Sequence, residues 1–125
     1  MRKKQSLQRL LTHKEQNLLN VADSALDLLL SKVSIRYKIK IYLCQLSRND
    51  INTITKIKER EILINLNSPI IQNILSKPIE VQKIILLEEL THEVAHLLGY
   101  GLESHDLDFF KKQRVLKYSF MLDCI

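Results

Sequence analysis

Residues 61–98 read EILINLNSPIIQNILSKPIEVQKIILLEELTHEVAHLL, and the character of the chain changes twice within them. Residues 61–66 are β-branched and apolar at close to period two, the pattern of a strand. Asn67-Ser68-Pro69 ends it, because Pro cannot donate to a ladder and Asn and Ser favour turns. After a short apolar segment at 70–75, Ser76-Lys77-Pro78 supplies a cap residue and a Pro near a helix start. Neither Gly nor Pro occurs from 79 to 98, and Gly99 with Gly101 marks the end of a helix of about five turns.

Upstream, residues 51–57 are also β-branched and are divided from 61–66 by Lys58-Glu59-Arg60, which predicts a hairpin or two consecutive strands. From Val33, the residues Ile35, Tyr37, Ile39, Ile41 and Leu43 alternate with Arg36, Lys38, Lys40 and Tyr42, so a strand there carries one apolar and one basic face. Residues 14–31 place Leu18, Leu19, Val21, Ala22, Ala25, Leu26 and Leu29 at three- and four-residue spacings among good helix formers, which predicts an amphipathic packing helix. Downstream, 106–122 is expected to form a last helix. The order helix, strands, helix, helix is an α+β plan in a single domain over residues 1–125.

The long helix contains Thr91-His92-Glu93-Val94-Ala95-His96, a His-Glu-x-x-His spacing. Residues four apart share one helix face, so His92 and His96 can direct two imidazole nitrogens at one ion, for which zinc is the natural candidate. Glu93 is then placed to take a proton from a metal-activated water and pass it to a leaving amine. Such a site needs a third protein ligand. His105, beyond the turn at Gly99 and Gly101, is the first choice, with Glu103 or Asp106 as competitors and Asp106 or Asp108 suited to orienting a histidine. Three of the four histidines fall within fourteen residues, whereas His13 stands alone in a polar segment and reads as a surface residue.

The segment from 61 to 112, ending in His105-Asp106-Leu107-Asp108-Phe109-Phe110, resembles the zinc peptidase core of the SprT and WLM families. In those families a strand and an Asn-containing turn precede the His-Glu-x-x-His helix, and the third ligand is a His followed closely by an aromatic. The resemblance implies a small zincin-like domain: an N-terminal packing helix, a short twisted sheet, the active-site helix and a C-terminal helix. It implies a zinc-dependent endopeptidase with His92, His96 and His105 as metal ligands and Glu93 as catalytic base. Members of those families on larger chains include proteases that degrade proteins crosslinked to DNA, and the resemblance implies, by analogy, DNA-associated proteins as candidate substrates. The chain also resembles the single-domain minigluzincins, whose third ligand is a Glu; Glu103 is the only Glu after His96. His96-Leu97-Leu98-Gly99-Tyr100 is similar to the motif ending of the YbeY-type ribosomal RNA maturation nucleases, which makes a metal-dependent endoribonuclease the alternative function. A non-catalytic metal-binding or interaction domain is the third.

Composition limits the partners. The net charge of +5 hides a division: residues 1–60 carry thirteen basic and five acidic side chains, residues 61–125 six basic and nine acidic. Arg36, Lys38 and Lys40 give the first half a face that is either solvated or able to track the phosphates of a nucleic acid. No apolar run approaches the roughly 18–20 residues of a membrane span, which predicts a soluble protein. The two cysteines, Cys44 and Cys124, make no spaced pair and fit a reduced, cytoplasmic setting. A monomer acting on a protein or peptide is expected.

Overall fold

The computed structural model describes residues 9–33 and 38–97. Helix α1 (His13–Leu30) starts at a capping box, in which Thr12 Oγ1 accepts from the Glu15 N–H and the Glu15 carboxylate accepts from the Thr12 N–H. Arg9 donates to the same carboxylate through two nitrogens, at 2.7 and 2.8 Å. That hydrogen bond outweighs the cost of burial and, with the Thr12 N–H, holds the Glu15 carboxyl down to about 2. Leu18, Ala22, Ala25, Leu26 and Leu29 form the buried stripe of α1, and His13 is exposed, as a surface residue should be.

Three strands follow, β1 (Lys40–Cys44), β2 (Thr53–Lys56) and β3 (Glu61–Asn65). Their order is β1-β3-β2, with β3 parallel to β1 and antiparallel to β2. The hairpin expected between 51 and 66 is present. Its turn is closed by Arg60 N–H to the Ile57 carbonyl at 3.2 Å, with Arg60 at a φ of 56°, a left-handed conformation that costs a residue with a Cβ about 1–2 kcal/mol. Of the strand expected from Val33, the described residues show the part from Lys40 to Cys44; Ile35, Arg36 and Tyr37 lie outside them. Over the described part the alternation holds: Ile39, Ile41 and Leu43 are buried, Lys38 and Lys40 exposed.

Consecutive strands β1 and β2 are not neighbours, so residues 45–52 must pass across the end of β3. Asn65 makes that crossing possible. Its fully buried amide accepts from the Leu46 and Asn67 N–H groups, each at 3.0 Å, and donates to the Arg48 carbonyl at 2.8 Å and the Ile51 carbonyl at 2.7 Å. All four hydrogen-bonding positions of the side chain are used on backbone of the crossing loop and the following turn.

Ser68 then caps a short helix α2 (Pro69–Ile74), with Pro69 at its first turn, where the sequence suggested only an apolar segment. Helix α3 (Ile79–Leu97) begins directly after Pro78, whose carbonyl accepts from Val81 and Gln82. Ser76, expected as the cap, instead accepts from Lys14 Nζ of α1 at 3.2 Å. Leu86, Leu90 and Val94 of α3 join the α1 stripe over Ile41, Leu43, Ile62 and Ile64, one core on one face of the sheet. Each such aliphatic side chain contributes about 1.5–3 kcal/mol on burial. Cys44 is also buried, which pushes its thiol up to about 11. Among the described residues, no helix is long and apolar enough to cross a membrane. The last helix expected at 106–122 lies outside the described residues, as do Gly99 and Gly101.

Candidate metal centre

The last turns of α3 carry the residues singled out by the sequence. His92 and His96 are half-buried and one turn apart, with ring centroids 4.9 Å apart and ring planes at 76°. Their Nε2 atoms lie 3.2 Å from each other. Two zinc–imidazole bonds of ~2.0–2.1 Å meeting at a tetrahedral angle place their nitrogens about 3.3–3.4 Å apart, so the separation of the pair is close to that of two ligands of one ion. Without an ion the same contact is an N–H···N hydrogen bond, one ring donating and the other accepting; to hold an ion, both rings would have to turn their Nε2 lone pairs to it and keep their protons on Nδ1.

Glu93 lies between this pair and the core stripe and is only 5% exposed. Its two carboxylate oxygens each accept from a threonine of β2: Oε1 from Thr53 Oγ1 at 2.9 Å, Oε2 from Thr55 Oγ1. Glu89, one turn earlier, accepts from Asn52 Nδ2 at 3.1 Å, and Asn52 in turn accepts from the Ser68 hydroxyl. The end of α3 is thus attached to β2 through side-chain polar groups, whereas the middle of the helix packs through apolar ones. A carboxylate has about four acceptor positions and the threonines use two, so Glu93 retains the capacity to accept from a water.

Sequence reasoning missed Thr53, Thr55, Asn52 and Glu89. Two signals were present: Thr53-x-Thr55 puts two hydroxyls on one face of a strand, and Glu89 with Glu93 makes an i, i+4 pair. The register shows where the threonines stand, Thr53 opposite Ile64 and Thr55 opposite Ile62, on the face that carries the core.

A cleft of about 350 Å³ opens beside the histidine pair, lined by residues 50–52 of the β1–β2 crossing, by Thr53 of β2 and by Glu88, Glu89, His92 and Glu93. Asp50 on its rim is hydrogen-bonded to Arg48, which lowers its carboxyl below the usual range. The lining is rich in carboxylates, and negative charge at this place suits a divalent cation in the neighbouring pair. Among the described residues, β3 is the central strand of the sheet and β2 is an edge strand, beside α3.

Among the described residues, no group of three or more His, Cys, Asp or Glu is gathered in a metal-holding arrangement. The expected third ligand His105 lies outside the described residues, as do Glu103, Asp106, Asp108 and Cys124. No family model, curated protein or solved structure matches the chain.

Proposed function

We propose that the chain is a zinc-dependent endopeptidase in which His92, His96 and His105 hold the metal and Glu93 is the general base. The observation that carries this reading is the pair of Nε2 atoms 3.2 Å apart, with the Glu93 carboxylate held one side of it against an edge strand. Zinc, when bound, supplies a Lewis acid that polarises the scissile carbonyl and makes a water acidic near neutrality. Glu93 takes the proton from the attacking water and hands it to the leaving amine nitrogen. Strand β2 holds an extended peptide by main-chain hydrogen bonds, and the adjoining cleft takes one of its side chains. The exposed Lys40 of β1, and Lys38 just before the strand, suit substrates associated with DNA.

The test is incubation of the zinc-loaded full chain with casein and with unstructured RNA, beside the Glu93→Gln form. Casein should be cut by the wild type, and Glu93→Gln should lower the rate by at least about 100-fold while retaining the metal. Glu93-dependent cleavage of RNA without proteolysis would replace this reading with the nuclease one. A chain that binds no zinc and cuts neither substrate is an interaction domain.

A further inference from the structure

The threonines of β2 face two ways at once. Asn65 N–H donates to the Asn52 carbonyl at 2.8 Å, which makes Asn52 and Asn65 a hydrogen-bonded pair of the antiparallel ladder. Such pairs alternate with non-hydrogen-bonded ones, so the backbone groups of residues 52, 54 and 56 point to β3 and those of 53 and 55 point away from it. Among the described residues, β2 pairs on one side only. The two residues whose main chain faces the outer edge are therefore the two whose hydroxyls donate to Glu93 Oε1 and Oε2.

We infer that Thr53 and Thr55 are positioning residues of the proposed peptidase, through which an extended substrate paired along β2 fixes the orientation of the Glu93 carboxylate. This rests on the reading of Glu93 as the base. Each hydroxyl has one proton. Thr53 lies nearer Glu93, at 2.9 Å, than Glu89, at 3.5 Å, so its proton goes to Glu93. With an oxygen held from each side, the carboxylate plane cannot rotate freely, and the remaining lone pairs keep one direction. A substrate segment bonded to the N–H and C=O of residues 53 and 55 would stiffen that short strand and with it both donors. Binding and proton transfer then depend on the same two residues through different atoms: the main chain holds the peptide, the side chains hold the base.

Valine and serine separate these roles. Thr53→Val with Thr55→Val keeps the β-branched shape and the main chain and removes both hydroxyls; Thr53→Ser with Thr55→Ser keeps the hydroxyls and removes the methyls. With a fluorogenic peptide, the valine form should lose about 10- to 100-fold in kcat, the scale of a misplaced catalytic group, with KM within about twofold. The serine form should regain most of kcat. Zinc content should stay at the wild-type level in both, and a crystal structure of the zinc-loaded valine form should show the Glu93 carboxylate turned from its wild-type plane. A valine form as fast as a proteolytic wild type, a serine form as slow as the valine form, or an unmoved carboxylate would overturn the inference while leaving the peptidase reading intact. A wild type that binds zinc and cuts no peptide overturns both.

Discussion

Replacing Asn65 by Ala removes the side chain that lets β1 and β2 lie on opposite sides of β3. Four backbone groups lose their partner: the N–H of Leu46 and of Asn67, and the carbonyls of Arg48 and Ile51. At about 1 kcal/mol net for each neutral hydrogen bond the loss is about 4 kcal/mol, and water reaching the exposed stretch around Arg48 reduces it to about 3. With an unfolding entropy of about 2.1 cal/mol/K per residue, 3 kcal/mol lowers the Tm of a chain this size by about 11 °C. Urea unfolding followed by circular dichroism measures the change directly. Asn65→Asp sharpens the test. It keeps the shape but turns an oxygen towards the Arg48 and Ile51 carbonyls, so at neutral pH it should be no better than Asn65→Ala and should improve as the introduced carboxyl is protonated. Zinc binding should survive in both, because the histidines stand on α3, which packs on α1. A cost for Asn65→Ala below about 1 kcal/mol would refute the idea that this amide organises the crossing.

The other expectations are local. Glu15 has its carboxyl lowered from 4.5 to about 2 in the folded chain, so its contribution is fully present above the unfolded value and is lost as pH falls through about 4 to 2. Since Arg9 is 46% exposed and screened by solvent, the contribution is about 1–2 kcal/mol; Glu15→Gln should lose it at pH 7 and show a flatter acid limb in urea titrations. Cys44, buried and with its thiol raised to about 11, should react with a disulfide reagent only as fast as the protein opens; in a Cys124→Ser background, reaction at the rate of a free thiol in native buffer would contradict that burial. Leu90→Ala, at a fully buried position between α1 and the sheet, should cost about 2–5 kcal/mol in the same unfolding assay.

Local patterns were legible where the chain itself supplies the partner. The buried stripe of α1, the hairpin of β2 and β3 and the start of α3 follow from spacing and from Pro and charged breaks, because each element satisfies its backbone within itself or with the next strand. The histidine pair was legible for the same reason, since four residues on a helix fix the separation of two side chains. The parallel pairing of β1 with β3 was not, because nothing in either strand records that the intervening strand lies beyond its successor. The information sits in Asn65, an asparagine in an apolar run whose four partners come from up to nineteen residues away. Glu93 was recognised as a candidate base from its place in the motif. Its attachment to Thr53 and Thr55 depends on the register of a strand about forty residues earlier, which no local pattern encodes.

The most direct test of the account is a zinc titration of the full chain beside His96→Ala. One zinc per wild-type chain, with loss of that binding in the variant, is the predicted result, since the two Nε2 atoms 3.2 Å apart are read as half of one coordination sphere. A wild type that takes up no stoichiometric zinc, or a His96→Ala form that binds it equally well, would contradict the reading of α3 as a metal centre.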